Sequence, residues 1–166
     1  MGFFVPKNKR LIIYYLCSMD VLEAATRLSK VNVTSVLVKI LKQAKTKKYI
    51  TDLNTKVQLF DYGEDARGVQ LAAVGGGYAP STIRIKARKG QPTSRVTLKD
   101  TGDFYKSFDV QIKPNADFSI TSDSIKNGVD LHKRWGENIE GLQPENIVLV
   151  MDYLEKEFYK NVFRGL

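Results

Sequence analysis

The sequence predicts an α+β domain, with an antiparallel β-sheet packed by two or three helices on one face, long loops and an N-terminal arm. Apolar residues recur at helical spacing between residues 36 and 60 and again over Pro144–Phe163. Between these stretches, residues 108–122 alternate apolar and polar side chains on either side of a turn, as a half-buried hairpin does. We therefore expect one domain over residues 33–166 and an arm or extension over residues 1–32.

Length and composition favour a single folded domain and exclude two kinds of cross-link. The chain has 166 residues and is 43% hydrophobic, which is enough to bury a core. Its only cysteine, Cys17, excludes an internal disulfide. With one cysteine and one histidine, the usual Cys/His zinc site is excluded as well.

The net charge of +8 is unevenly distributed along the chain. Residues 1–60 contain 11 Lys/Arg and 3 Asp/Glu, whereas residues 114–166 contain 6 Lys/Arg and 9 Asp/Glu. This asymmetry is either ordinary solvated surface charge or a basic region that faces an acidic partner. Such a partner is nucleic acid, another protein, or the acidic part of a neighbouring copy.

The apolar segment Leu11–Met19 is nine residues long, whereas a membrane span needs about 20. No small-residue cleavage site follows it, as a signal peptide would require. Leu16 directly before Cys17 also breaks the pattern of a lipid-attachment site. We interpret the segment as an extended arm or short helix that packs on the domain or on a neighbour, with a core strand as the alternative.

Two helical stretches come next, either as two helices or as one helix broken near Thr46. Thr34 or Ser35 is positioned to cap the first stretch. The apolar positions are Val36, Leu37, Ile40, Leu41 and Ala44 in the first stretch, and Tyr49, Ile50, Leu53, Val57 and Phe60 in the second. A row of lysines follows the polar side: Lys39, Lys42, Lys45, Lys47 and Lys48. These lysines form either a solvated face or a stripe that faces phosphates.

The segment Asp61–Gly68 ends the second helical stretch in tight glycine turns. Its carboxylates are those of Asp61, Glu64 and Asp65. They lack the order and the later Glu of a calcium-binding loop, so we expect no metal site here.

The next stretch, Val69–Pro80, contains the consecutive glycines Gly75, Gly76 and Gly77, followed by Tyr78. It has neither of the glycine-rich motifs that bind phosphates or dinucleotides. We expect a flexible loop that becomes ordered against a partner, and this loop is the main candidate for a contact surface.

The segment Ile83–Lys89 is either a strand with a basic face or a short helix. It lacks the interleaved aromatic side chains that stack on bases. The pattern therefore does not indicate sequence-specific recognition of nucleic acid.

The chain is organised around Val96–Phe108, where a capped turn of helix runs directly into a strand. Asp100 or Thr101 is positioned to accept hydrogen bonds from the exposed N–H groups of that helical turn. The strand that follows is expected to pair with a second strand across a turn at residues 114–117, with Phe108, Val110, Ile112, Phe118 and Ile120 on one apolar face.

Residues 128–131 predict a third short strand or a turn, and His132 and Trp135 then precede Gly136. We expect His132 to be a hydrogen-bonded structural histidine, because no Ser or Cys lies at a recognisable triad spacing. The last helix begins at Pro144. Its apolar stripe, which is expected to lie on the sheet, is formed by Ile147, Met151, Leu154, Phe158 and Val162.

The ordered set of these motifs resembles the virion-morphogenesis proteins of tailed bacteriophages, which are tail-completion or head–tail joining (neck) proteins. Leu98, Thr101-Gly102, Phe104 and Ser107 match the family signature L-x-x-(T/S)-G-x-L-x-x-S. Before the signature lies a loop rich in Gly, Tyr, Pro and Thr, and after it come the hairpin, a His-x-aromatic-Gly turn and the C-terminal helix. The resemblance extends from Val33 to the end, and it departs from the family at Phe104 and Trp135, where Leu and Phe are more usual.

This resemblance implies a structural protein of the virion neck or tail, made in the host cytoplasm, whose subunits form a homo-oligomeric ring between the portal-connector and the tail. It implies contacts with portal, connector and tail-tube proteins and a non-specific contact with packaged DNA, and neither a cofactor, nor a membrane, nor enzymatic chemistry. The implied interface and structural residues are Gly75, Gly76, Gly77, Tyr78, Asp100, Thr101, Gly102, Ser107, His132, Trp135 and Gly136.

Two other classes of function remain open from the sequence. The basic charge favours a small nucleic-acid-binding protein acting in phage assembly, although stacking aromatics and a groove-reading motif are missing. A nuclease would have to use Asp61, Glu64 and Asp65 with Mg²⁺.

Overall fold

The computed structural model describes residues 21–126 and 128–163. The predicted apolar segment Leu11–Met19, Cys17 and the glycine that follows the last helix, Gly165, lie outside these residues. Within them, helices and antiparallel strands are combined in one chain, and the predicted α+β class is confirmed.

Helices dominate the described residues. They are α1 (Val21–Ser29), α2 (Val33–Leu41), α3 (Ala44–Asp52), a π-helix (Leu53–Tyr62), α4 (Leu71–Gly75), α5 (Pro80–Arg88), α6 (Asp103–Lys106), α7 (Leu131–Trp135), a 3₁₀ turn (Glu137–Ile139) and α8 (Pro144–Phe163). The strands are β1 (Asp109–Ile112), β2 (Phe118–Thr121), β3 (Ile125–Lys126) and β4 (Val129–Asp130).

The predicted hairpin and its apolar face are confirmed. Strands β1 and β2 are antiparallel, with Val110 opposite Ile120 and Ile112 opposite Phe118. Val110 and Ile120 are buried in the core. The strand predicted around Val129 also forms, but it pairs with β3 in a separate two-stranded sheet. The described residues thus contain two small sheets instead of the one sheet that was expected.

The first two predicted helices are separate, and their boundaries differ from the prediction. Asn32, and neither Thr34 nor Ser35, caps α2, since its side-chain oxygen accepts a hydrogen bond of 2.9 Å from the backbone N–H of Ser35. An extended backbone at Asn32 allows this geometry. The chain breaks at Gln43, three residues before the predicted break at Thr46, because Gln43 is also extended.

The second predicted helix continues into a π-helix, which changes the face that it buries. A π-helix bonds residue i to i+5, so buried positions recur at wider intervals than in an α-helix. Leu53, Asn54, Gln58 and Leu59 are buried, whereas the predicted core residue Phe60 is only half-buried. The predicted apolar face is therefore right at its start and wrong at its end.

The last helix has the predicted extent but not the predicted orientation. Helix α8 packs mainly on α2 instead of on a sheet. Its buried residues include Val150 and Leu154, whereas Ile147 and Met151 are about half exposed at 46% and 51%. Polar residues take some of the inward positions of α8, and this turns the predicted stripe partly towards solvent.

Buried polar contacts fasten the π-helix to the start of α8. The amide nitrogen Nε2 of Gln58 donates to the carbonyl oxygen of Gly141 at 3.1 Å. Its Oε1 accepts from the backbone N–H of Gln143 at 2.9 Å and from Nδ2 of Asn146 at 3.3 Å. Gln143 in turn donates to the Glu64 carboxylate at 2.9 Å. The fully buried side chain of Gln58 thus joins the π-helix to residues 141–143 and to the first turn of α8.

The variant Gln58→Leu is expected to lower the free energy of unfolding by about 3 kcal/mol, because several buried polar groups lose their partner. Urea denaturation followed by circular dichroism measures this change. The matched control is Gln111→Leu on β1, an exposed position where a change within about 0.5 kcal/mol is expected. Equal stability changes in the two variants would show that the Gln58 contacts do not support the fold.

The carboxylate of Glu157 links α8 to α3. Hydrogen bonds from Lys160 and from Lys45 hold the pKa of Glu157 below its ordinary value of 4.5. Because the pKa is lower in the folded chain, the charged carboxylate stabilises the fold above that ordinary value. This stabilisation is lost as the pH falls through the lowered pKa.

We predict that the difference in unfolding free energy between the wild type and Glu157→Gln is full at neutral pH and shrinks as the pH falls below 4.5. Denaturation midpoints measured over a pH series test this. Glu155→Gln, on the same helix, controls for the loss of one negative charge. A difference that stays constant across the series would contradict the proposed role of the ion pairs.

Candidate functional site

The stretch predicted as a flexible loop is largely helical. Leu71–Gly75 forms α4, with Leu71 fully buried, and Pro80 starts α5. Only residues 76–79 connect the two helices. The prediction of a long loop is therefore wrong, because Leu71 is drawn into the core and Pro80 favours a helix start.

The structure brings Gly75 and Trp135 together. A Cβ atom on Gly75 would lie 2.4 Å from Nε1 of Trp135 and 2.8 Å from the carbonyl oxygen of Arg134. The Arg134 side chain donates from Nε to the carbonyl oxygen of Gly75 at 2.9 Å and covers the indole ring at 4.5 Å. Glycine is thus required at this position for α4 to reach α7.

Tyr78 anchors the first part of Val96–Phe108, which we call the signature segment. Its hydroxyl oxygen accepts a hydrogen bond of 2.8 Å from the backbone N–H of Thr97. The hydroxyl of Tyr105 donates to the carbonyl oxygen of Thr97. Burial raises the pKa of Tyr105. Thr97 is fully buried between them.

Helix α5 resolves the alternatives left open for Ile83–Lys89 in favour of a helix, and its buried residue is a lysine. Lys86 is 6% exposed, whereas Ile83 and Ile85 are 40% and 51% exposed. Its ammonium group donates to the carbonyl oxygen of Lys99 at 2.6 Å and lies 4.8 Å from the ring centre of Tyr78. The cation thus ties α5 to the signature segment.

The predicted cap of the signature helix is found at Thr101 and not at Asp100, since the Thr101 hydroxyl oxygen accepts a hydrogen bond of 3.5 Å from the backbone N–H of Asp103. Helix α6 begins at Asp103, and Gly102 precedes it with a left-handed φ of 92°. Asp100 is instead paired with Lys89, and the Thr101 hydroxyl donates to the Asp103 carboxylate. That hydrogen bond, together with the Lys126 ammonium, lowers the pKa of Asp103 to about 2. Thr101 therefore contacts both the backbone and the side chain of the first residue of α6.

Ser107 connects the end of α6 to the residues that precede β3. Its hydroxyl donates to the carbonyl oxygen of Phe104 at 2.7 Å and accepts from the backbone N–H of Asp123 at 3.0 Å. Phe104 is buried and meets Phe108 edge to face, with ring centres 5.0 Å apart. The contacts of Ser107 are structural ones.

His132 lies in the short helix α7 and forms a hydrogen bond, as expected. Its Nε2 lies 3.0 Å from Oε1 of Glu140. The same oxygen accepts from the backbone N–H and the hydroxyl of Ser122 at 2.8 and 2.6 Å. A nucleophilic triad needs the histidine between serine and acid, whereas here the acid lies between them. Gly136, with φ 80°, then ends α7, so the predicted turn is a helix with a glycine cap.

A cleft of about 650 Å³ separates the π-helix from the signature segment. Three lysines line it, and each has a neighbour within the chain. Lys56 pairs with Asp52 at 3.0 Å, Lys106 lies 3.6 Å from Asp103, and Lys99 covers the Phe60 ring at 4.5 Å. The cleft therefore has little net positive charge available for an anion.

The lysine row predicted on α2 and α3 is also largely engaged. Lys47 pairs with Asp109 at 3.0 Å, Lys48 pairs with Asp52 at 2.6 Å, and Lys45 pairs with Glu157. Lys39 and Lys42 are exposed. Most of this row therefore serves contacts within the chain.

In the segment Asp61–Gly68, the carboxylates of Asp65 and Glu64 accept hydrogen bonds from nearby residues of the chain. Asp65 is fully buried and accepts from the Arg67 side chain at 2.6 Å and from the backbone N–H of Val69 at 3.1 Å. Glu64 accepts from Gln70 at 2.8 Å. The part of the chain that the structure describes has no group of three or more His, Cys, Asp or Glu side chains arranged to hold a metal ion.

Sequence reasoning missed the buried polar residues Gln58, Asn54 and Lys86. Asn54 and Gln58 are four residues apart in a helical stretch, and that spacing was a usable signal for one polar face. For Lys86 no signal exists, because hydropathy alone would bury its isoleucine neighbours first.

Comparison with protein-family models, curated proteins and solved structures found no match to this chain. Across residues 21–126 and 128–163, no helix combines the length and apolar content needed to cross a bilayer.

We predict that Gly75→Ala lowers the free energy of unfolding by about 2 kcal/mol, because the new methyl group overlaps the Trp135 indole. Trp135 is the only tryptophan of the chain, so its fluorescence reports the displaced ring directly. The control is Gly77→Ala, where a Cβ would meet open space. Unchanged emission and stability in the Gly75 variant would contradict the close packing.

Proposed function

We propose that this chain is a structural subunit of a phage neck or tail, whose copies form a ring that joins the portal-connector to the tail. The observation that carries the proposal is the combination of exposed apolar side chains with exposed charges on α5 and α8. A folded subunit that leaves large apolar side chains on two helices is suited to covering them with another protein.

The arrangement of the candidate residues supports an assembly role over a catalytic one. Gly75, Tyr78, Ser107 and His132 all contact backbone or side-chain groups that hold neighbouring segments in place. In the Ser122–Glu140–His132 group, the serine hydroxyl donates to a carboxylate and is not activated by the imidazole. The resemblance of the motif order to neck proteins points in the same direction.

A second candidate is a nucleic-acid-binding protein of phage assembly. The observation that favours it is the pair Arg84 and Arg88, which lie exposed one turn apart on a helix without an acidic residue. The exposed isoleucines beside them suit a protein surface better than a phosphate backbone. Binding to duplex DNA that weakens steeply with salt would favour this candidate.

We predict that cryo-EM of purified phage particles places this protein in a ring at the head–tail junction. Its peptides, identified in the same particles by mass spectrometry, establish its presence independently. Density at that position gives the copy number directly. Absence from mature particles would reject the neck role, and the nucleic-acid-binding candidate would then be tested in infected cells.

A further inference from the structure

Helix α5 turns a face towards solvent that is both apolar and basic. Ile83 and Ile85 are 40% and 51% exposed, and Arg84 and Arg88 lie between and beside them on the outward side. Among the described residues neither arginine forms an ion pair. Like charges one turn apart on a helix repel each other, so an acidic partner would stabilise this face.

Helix α8 also exposes apolar side chains, but the charges beside them are acidic. Ile147, Val148 and Met151 are 46%, 58% and 51% exposed on one side of the helix. Asp152 and Glu155 continue the same side one turn further on, and neither is ion-paired in the part of the chain that the structure describes. An apolar patch followed by two carboxylates is the chemical complement of the α5 face.

The two faces are not covered by each other within one chain, since both are exposed in it. A contact between them must therefore join two different copies. Such a contact uses one surface of the first copy and a different surface of the second. It is heterologous, and repetition produces a ring when the rotation closes.

We propose that α5 of one copy docks on α8 of the next copy, with Arg84 and Arg88 facing Asp152 and Glu155 and with the isoleucines against Ile147, Val148 and Met151. This inference rests on the proposed ring function and names the surfaces that form it. A second copy is preferred over nucleic acid as the occupant because the exposed isoleucines need an apolar surface to cover them. The acidic α8 face also repels phosphates.

Charge reversal in the full chain tests the contact. The α5 variant is Arg84→Glu with Arg88→Glu, and the α8 variant is Asp152→Arg with Glu155→Arg. Sedimentation equilibrium at low ionic strength measures self-association over a wide range of protein concentrations. We expect the wild type to associate and to do so less at high salt. Each variant alone should associate at least about 100-fold more weakly, since like charges then meet.

The decisive experiment mixes equal amounts of the two variants. In it, the unchanged α5 of one variant meets the unchanged α8 of the other, and the two reversed faces also complement each other. Association should therefore recover in the mixture to within about tenfold of the wild type. The control variant, Lys39→Glu with Lys42→Glu, makes the same change in net charge at two exposed lysines, one in the last turn of α2 and one directly after it, and should associate like the wild type.

Three results would overturn the inference: a wild type that stays monomeric throughout, a mixture that does not recover, or a control variant that is as weak as the α5 variant. All substitutions are at exposed or half-exposed positions, and circular dichroism confirms that each variant is folded. The particle experiment is independent of this one. A ring in particles combined with failed complementation would reject the α5–α8 contact and leave the neck function standing.

Discussion

The side chain of Gln58 is the point on which the rest of the fold depends. It is fully buried in the π-helix and satisfies the loop at Gly141, the backbone of Gln143 and the side chain of Asn146. A buried polar group that loses its partner costs at least as much free energy as the hydrogen bond contributed. Separating these segments would leave several such groups without a partner, so the segments stay together. This amide fixes the start of α8, and the later turns of the helix are held by Val150 and Leu154 in the core and by the ion pairs of Glu157.

Fixing α8 at its N-terminal end also determines which of its faces is left outside. Asn146 and Glu157 lie on the inward side, where Gln58 and the lysines satisfy them. Ile147 and Met151 are consequently turned towards solvent. The same exchange occurs on α5, where Lys86 is inward and two isoleucines are outward. Polar anchors within the chain thus produce apolar surfaces available to a partner.

The sequence predicted those parts of the fold whose signal is local. The hairpin and its apolar face follow from alternation on either side of one turn, and the start of α8 follows from Pro144. The buried positions at the end of the π-helix were not predictable, because its wider turn shifts the period on which the helical pattern depends. Nor was the inward turn of α8, since it depends on partners more than 80 residues away in the chain.

The candidate site was predictable as a set of residues but not as a geometry. Gly75 and Trp135 were both named from their motifs, yet nothing local indicates that they meet. Asp100 and Thr101 were both candidates for a helix cap, and only the geometry shows that Thr101 contacts the helix N-terminus whereas Asp100 pairs with Lys89. Arg84 and Arg88 gain their importance only once the burial of Lys86 turns them outward.

The π-helix has one further consequence, which concerns length instead of side chains. Its ten residues turn with the wide i+5 spacing, which sets the positions that face inward at the end of the segment, where Leu59 is buried and Phe60 is half-buried. Deleting one residue would rotate every later position of the segment about the helix axis. The number of residues between Leu53 and Gly63 is therefore itself a structural requirement, and insertions or deletions there act on α8 at a distance.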